Sequence, residues 1–366
     1  MNFEFSEEQL FIRDQARNFL SQESSAEVVR GVLDTDAAFD SALWQKIVDL
    51  GWTAMAIPEA YGGLGLGFLE LCLVAQELGR CLAPVPFSSS VYLATEAIKA
   101  FGSEAQKQHY LPKLAAGELI GTLATSEGLG ALQVAAQFSD DTLSGSKCPV
   151  PDGDIADFAV TLANDNDGKA TLYLVDLTHD TVQCNALNSM DHSRSQASVV
   201  FEQAPAQPLG DSRAGMDALS TLQDKAAVLF AFEQIGGSQA ALDMGIAYTK
   251  ERYAFGRAIA SFQAIKHKFA DMYVALELAR SNAYYGAWAL SSDAPDLPLA
   301  AATARVSATD AYYQITRENI QVHGGMGFTW EFDCHLYYRR AQLLSSVIGT
   351  QPHWKDQLAT RLLQAA

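Results

Sequence analysis

The chain is 366 residues long, 49% hydrophobic and 19% charged, with a formal net charge of −18. That composition excludes a disordered or fibrous chain, and the length predicts two or three packed units rather than one small module. The acidity argues against nucleic-acid or anionic-membrane partners, whose phosphates need clustered Lys and Arg.

No run of about 18 apolar residues is present, so no membrane span is expected. The opening Met1-Asn2-Phe3-Glu4-Phe5-Ser6-Glu7-Glu8 has neither the basic nor the apolar region of a signal peptide. A cytoplasmic protein is the expectation. Cys72, Cys81, Cys148, Cys184 and Cys334 are odd in number and show no CxxC spacing, so free thiols are expected, with no disulfide and no metal site.

In chain order the first third reads helical. Ser6-Glu7-Glu8-Gln9 has capping-box form, and Leu10, Ile12, Ala16, Phe19 and Leu20 follow at helical spacing. Asp40 caps a second helix through Trp44, Ile47 and Val48, stopped by Gly51. The run Gly62-Gly63-Leu64-Gly65-Leu66-Gly67 reads as a loop. It is not a dinucleotide fingerprint, because no strand precedes it and no βαβ unit surrounds it. Helices are expected over Phe68–Leu78, ended by Gly79, then over about Ser89–Ala100 and Ser103–Ala116, the last capped by Ser103.

Near residue 120 the texture changes to short apolar runs: Leu119–Leu123, Phe158–Leu162, Thr171–Val175 and Ser198–Phe201. Asp140-Asp141, Asn164–Gly168 and Pro205–Pro208 separate them as turns. Strands at this spacing predict a β sandwich or barrel. From about Asp211 long Ala-rich helices return, over roughly Ala214–Arg252, Ser261–Leu290, Pro298–Val322, Glu331–Ser345 and His353–Leu363. The expected fold class is therefore mainly α with a central β domain: helices over 1–118, β structure over 119–211 and helices over 212–366.

Charge is uneven. Lys250–Arg340 holds ten Lys and Arg against nine Asp and Glu, whereas the remainder holds 15 against 34. Within this neutral stretch stand Arg252-Tyr253-Ala254-Phe255-Gly256-Arg257, Phe262-Gln263 and Gln321-Val322-His323-Gly324-Gly325-Met326-Gly327-Phe328. Arg252 offers a planar fork suited to a diphosphate. Gly324 and Gly325 at a helix end permit close backbone approach to an oxygen-rich ligand. Phe255 can lie against a flat ring, and Gln263 and Gln321 supply amide donors and acceptors. Taken singly, each is more often structural: a surface ion pair, a helix cap, a core aromatic.

Together these motifs, with Pro58-Glu59-Ala60-Tyr61-Gly62-Gly63-Leu64-Gly65, resemble the acyl-CoA dehydrogenase family over nearly the whole chain. The resemblance implies an N-terminal helical domain, a central β barrel and a C-terminal four-helix bundle, with FAD and an acyl-CoA held between them. It also implies a homo- or heteromeric dimer or tetramer that shares flavin across a subunit boundary. Carried over, Arg252 faces the diphosphate of a neighbour's FAD, Phe255 the flavin end and Gln263 the adenosine end. Gln321, Gly324 and Gly325 face the diphosphate, and Thr350 lies near the flavin. The family's reaction abstracts an α-proton with a carboxylate while the β-hydrogen passes to flavin, and an electron-transfer flavoprotein reoxidises the cofactor.

The sequence departs from that pattern where catalysis needs it. The family's base is a Glu before Gly-Thr; here the segment is Ser345-Ser346-Val347-Ile348-Gly349-Thr350, with Ile348 at the base position. The alternative position on the helix before the Arg252 motif falls at about Ala227, also without a carboxylate. Glu233 is the nearest carboxylate on that helix, more than a turn away. In the β domain only Ser126-Glu127 and one glycine of Ser126-Glu127-Gly128-Leu129-Gly130-Ala131-Leu132 echo the flavin-binding pattern. The ring-contacting Trp and Thr expected after Gly145-Ser146-Lys147 are replaced by Cys148-Pro149-Val150-Pro151-Asp152. Three readings stay open: a self-sufficient dehydrogenase with a displaced base such as Glu233, a flavin monooxygenase of the same fold, or a base-less partner subunit. The last is like those of heteromeric dehydrogenases of bacterial sterol side-chain breakdown, paired with a Glu-bearing paralogue.

Overall fold

The computed structural model describes residues 5–35, 37–128, 132–210 and 214–365. Helices come first: α1 (Glu7–Glu23), α2 (Ala26–Leu33), α3 (Ser41–Asp49), α4 (Phe68–Arg80), a π-helical stretch Ser88–Thr95, α5 (Glu96–Phe101) and α6 (Glu104–Ala115). Strands follow: β1 (Gly121–Ala124), β2 (Gln137–Ser139), β3 (Thr142–Pro151), β4 (Phe158–Asn164), β5 (Ala170–Asp176), β6 (Val182–Ala186) and β7 (Gln196–Pro208). The chain closes with α7 (Met216–Glu251), a small hairpin of β8 (Tyr253–Ala254) and β9 (Arg257–Ala258), α8 (Gln263–Ser291), α9 (Leu297–His323), α10 (Cys334–Leu344) and α11 (Gln351–Ala365). The turn into this last helical region near Asp211, and Leu129–Ala131 of the flavin-pattern segment, lie outside the described residues.

Two compact units result. One comprises the chain up to Val29, Phe68–Ala83 and the chain from Ala227 onward; the other comprises Arg30–Gly67 and Pro84–Ala226. In the second unit local chemistry sets the helix starts. The Asp40 carboxylate accepts from the Leu43 amide, and Ser103 with Gln106 closes a reciprocal capping box. The strands form a ring in which β4, β2, β3, β7 and β5 pair in turn and β5 pairs back to β4; β1 lies parallel to β4 and β6 flanks β7. Closure removes the exposed edges of an open sheet. Its interior holds Phe138, Leu143, Val150, Val175, Val199 and Phe201, with Phe138 stacked on Tyr173 at 4.2 Å.

The barrel departs from the sequence reading in two ways. Pro205–Pro208 is not a turn but the end of β7, where Pro205 pairs with Thr142 and Pro208 with Tyr173. Proline is tolerated where the ladder ends. The apolar runs also miss β2, β3 and β6, whose faces are half polar. Asp140 and Asp141, read as a turn, do join β2 to β3, both with positive φ (51° and 58°).

The helical unit is organised on α9, against which α8, α10 and α11 all pack. Its buried face carries a run of small residues, Ala300, Ala301, Ala304, Ala308 and Ala311, beside large ones such as Arg305, Tyr312 and Ile315. Small residues let helix axes approach. The same device corrects the reading of Gly79. It does not stop its helix, which runs on to Arg80. A Cβ at Gly79 would lie 1.9 Å from the Glu233 carbonyl oxygen, and one at Gly236 would lie 1.9 Å from that of Gln76. The pair of glycines is what allows α4 and α7 to cross in contact.

Candidate functional site

One end of the helical unit gathers most of the residues singled out above. Tyr248, near the end of α7, stacks its ring on His323 at the end of α9 with centroids 4.1 Å apart. The Tyr248 hydroxyl donates to the His323 carbonyl at 3.4 Å. His323 is buried, and its Nδ1–H donates to the Asn319 carbonyl at 2.7 Å. Burial holds its pKa below the ordinary histidine value, against the Asn319 bond, so the ring is neutral at pH 7. These contacts bring the Arg252 segment and the Gln321–Gly325 segment side by side, although about seventy residues separate them in the chain.

After α7 the chain turns sharply. Phe255 and Gly256 are the two central residues between β8 and β9, with φ of 53° and 79°. Two left-handed residues define the tight type I′ turn, and glycine at the second is its usual occupant. The Ile259 amide donates to the Arg252 carbonyl at 2.8 Å and closes the hairpin. Arg257 lies over the Phe262 ring at 4.0 Å and stiffens the return into α8. The result is a rigid arm with Phe255 95% exposed at its tip. Arg252 and Gln263 are also exposed.

The second segment ends α9 in a Gly-Gly turn. Gly324 adopts φ 62° and ψ −140°, a conformation essentially reserved for glycine. A Cβ built on Gly324 or Gly325 meets nothing within 4 Å, so open space borders this backbone. Gln321 is exposed alongside, and Phe328 is 84% exposed just beyond. The end therefore presents a cation, two amide side chains, bare backbone and exposed rings together. That donor set suits a dinucleotide: the guanidinium and backbone for phosphate, the rings for flat heterocycles.

Other candidates lie elsewhere. Ile348 is 4% exposed, and its carbonyl accepts from the Trp354 indole at 3.1 Å. Ala227, at the alternative base position, is fully buried. Thr350 is exposed at the start of α11, where the neighbouring Gln351 donates to the Val306 carbonyl. Val306 is about 27 Å along α9 from Gly324 at 1.5 Å per residue, so Thr350 does not join the Gly-Gly turn. Glu233 is buried on α7 and faces Arg340 of α10 at 3.7 Å. Arg340 also donates to the Leu82 carbonyl. Beside them Arg305, fully buried, donates to Gln234 and to the Leu344 carbonyl at the end of α10. Burial pulls its pKa down to about 9, with Glu233 opposing.

In the barrel unit, the Ser126 hydroxyl donates to the Gly128 carbonyl at 3.2 Å. Its neighbour Glu127 accepts from the amides of Ala135 and Ala136 and from buried Lys147. Burial alone would raise the Glu127 pKa, but Lys147 and the two amides outweigh it and hold it low. Glu127 thus pins a loop. The contacts of Tyr248, His323 and Arg257 were missed in the sequence; their only signal there is their closeness to the Gly-rich motifs.

Comparison with known proteins matches this architecture. Residues 6–118 match the model of the acyl-CoA dehydrogenase N-terminal domain, and residues 213–363 match that of the C-terminal domain. The chain belongs to the acyl-CoA dehydrogenase family. Among its relatives, the acyl-CoA dehydrogenase IpdE2 of Mycolicibacterium smegmatis is 33% identical over 346 residues, covering 94% of this chain and 95% of that one. The ChsE4-ChsE5 complex from Mycobacterium tuberculosis contains a chain superposing with a TM-score of 0.91 at 27% identity, over 100% of this chain and 99% of that one. A single-site variant of the Tcur3481-Tcur3483 steroid ACAD superposes with a TM-score of 0.89 at 28% identity, over 98% of both chains. The family's members are oxidoreductases that use FAD. The open Gly324-Gly325 backbone and the exposed Arg252, Gln263 and Gln321 fit a flavin dinucleotide's diphosphate and adenosine, so the cofactor and this helical end are chemically compatible.

Proposed function

We propose that this chain is the base-less subunit of a heteromeric FAD-dependent acyl-CoA dehydrogenase. The observation that carries the reading is the pair of base positions. Ile348 and Ala227 are both apolar and both buried, at 4% and 0% exposure. Neither can take a proton, and a positioned base is worth about 10²–10⁴-fold in rate. The carboxylate that removes the α-proton therefore comes from a Glu-bearing paralogous chain. Bound FAD supplies the acceptor for the β-hydride. In this assembly Arg252 and the Gln321–Gly325 turn hold the dinucleotide's phosphates, Gln263 its adenosine end and Phe255 its ring end, all reaching across the interface. The exposure of Phe255 and Arg252 at the hairpin, and of Gln263 and Gln321 nearby, supports that role.

The substrate class is an acyl-CoA thioester, and the likeness to a steroid ACAD favours a steroid-derived acyl group. An electron-transfer flavoprotein is the proposed oxidant. The free thiols are consistent with work in a reducing cytoplasm. The displaced-base reading draws no support from Glu233, whose carboxylate faces Arg340 in the protein interior.

The test is co-expression with a Glu-bearing chain of the same family. A yellow complex that bleaches anaerobically with an acyl-CoA is expected, while the chain purified alone neither holds flavin nor bleaches. A chain that bleaches with acyl-CoA by itself overturns the proposal.

A further inference from the structure

The barrel segment that replaces the family's ring-contacting Trp and Thr is tied down by a polar cluster. Asp152, at the end of β3, sits in the left-handed region with φ 52° and is 1% exposed. Its carboxylate accepts from the Ser89 hydroxyl at 2.5 Å and faces the Arg194 guanidinium at 3.9 Å. Arg194, 5% exposed, also donates to the Ser88 hydroxyl. Ser88 and Ser89 open the π-helical stretch, a widened and uncommon helix type that is frequent at functional sites. The clamp continues through the backbone. The Asp152 amide donates to the Ser195 carbonyl at 2.9 Å, and the Thr122 hydroxyl donates to the Pro151 carbonyl at 2.5 Å. Pro149 and Pro151 carry no N–H to offer a ligand.

We propose that Ser88, Ser89, Asp152 and Arg194 form a clasp that fastens residues 148–152 to the π-helix and shuts this chain's own isoalloxazine site. A ring docking on this segment would need donors from it. Here the Asp152 amide is committed to Ser195, Pro149 and Pro151 lack donors, and the Asp152 carboxylate is engaged by Ser89 and Arg194. Breaking the clasp to admit a ring would strand a charged pair away from water, which is costly. The inference rests on the base-less reading and extends it: the chain lends contacts to a partner's cofactor but carries no ring of its own.

Two measurements test it. The full chain, alone and in complex with a Glu-bearing chain, is equilibrated with excess FAD, and bound flavin is counted per chain. None on the chain alone and one per pair in the complex are expected. One flavin per isolated chain, or two per pair, overturns the clasp even if the complex forms. Absence of any complex defeats the pairing, while the isolated chain still decides the clasp. Amide exchange is the second measurement. Asp152→Asn, and the milder Ser89→Ala should the first fold poorly, are expected to speed exchange at Asp152–Ala156 about tenfold, with the β4–β5 ladder unchanged. Exchange as slow as in the unaltered chain shows that the cluster fastens nothing.

Discussion

On the proposed reading Ile348 stands where a carboxylate would act, and restoring the carboxylate alone is not expected to restore the enzyme. Ile348→Glu places an acid in a site 4% exposed to water. Burial raises its pKa in the folded state, so the penalty is small at acidic pH and grows as pH rises through that pKa. The expected loss at pH 8 is about 2–4 kcal/mol in urea denaturation, shrinking toward pH 5, with no acyl-CoA dehydrogenation by the isolated chain. Arg340→Ala leaves Glu233 buried beside a missing cation, and calorimetry is expected to show a loss of about 3–5 kcal/mol. Glu233→Gln is expected to leave turnover of the assembled enzyme intact; its abolition with flavin retained would make Glu233 the base. His323 adds a pH dependence. Its folded pKa is depressed, so stability is full above the unfolded value of about 6.5 and is lost as pH falls through the folded one. Thermal melts should drop on acidification below that point and should drop less in His323→Gln. The motif residues around Arg252 and Gln321 were legible because their types recur in a fixed order. The Glu233–Arg340 pair was not, because its partners lie on helices far apart in the chain and no local pattern couples them.

At the scale of elements, the helix starts were written in capping residues and the turns in glycine and aspartate pairs. Ser6, Asp40 and Ser103 each cap the helix expected of them. Gly79 misled because a glycine near a helix end has two uses, and only the tertiary crossing tells them apart. That crossing makes a strong prediction. A methyl at Gly79 would meet the Glu233 carbonyl oxygen at 1.9 Å, so Gly79→Ala is expected to cost about 3 kcal/mol in denaturant midpoints, far above an ordinary helix glycine. The hairpin arm behaves in the opposite sense. Phe255 is 95% exposed, so Phe255→Ala should change the isolated chain's stability by less than about 0.5 kcal/mol. In the assembled enzyme the same change is expected to weaken flavin retention about tenfold on dilution, as the loss of one aromatic contact implies. The half-polar strands β2, β3 and β6 escaped sequence reading because pairing with neighbouring strands, not a hydrophobic run, holds them.

For the whole molecule, the alternation of helices, β structure and helices was legible, but the division into compact units was not. Composition changes mark where strands begin; they do not show that the first and last helices share one core. α1 and α4 belong with the chain beyond Ala227, and the barrel is inserted between them in the sequence. This discontinuity has a consequence for biosynthesis. α1 and α4 leave the ribosome able to pack only on each other, and the glycine-bearing face of α7 that α4 crosses is translated only after the entire barrel. Until then the nascent N-terminal segment must be shielded by chaperones or remain loosely structured, while the barrel, whose strands are contiguous, can fold at once. Slowing translation should therefore help the barrel and leave the first helices waiting, a difference that protease sensitivity of stalled chains would display.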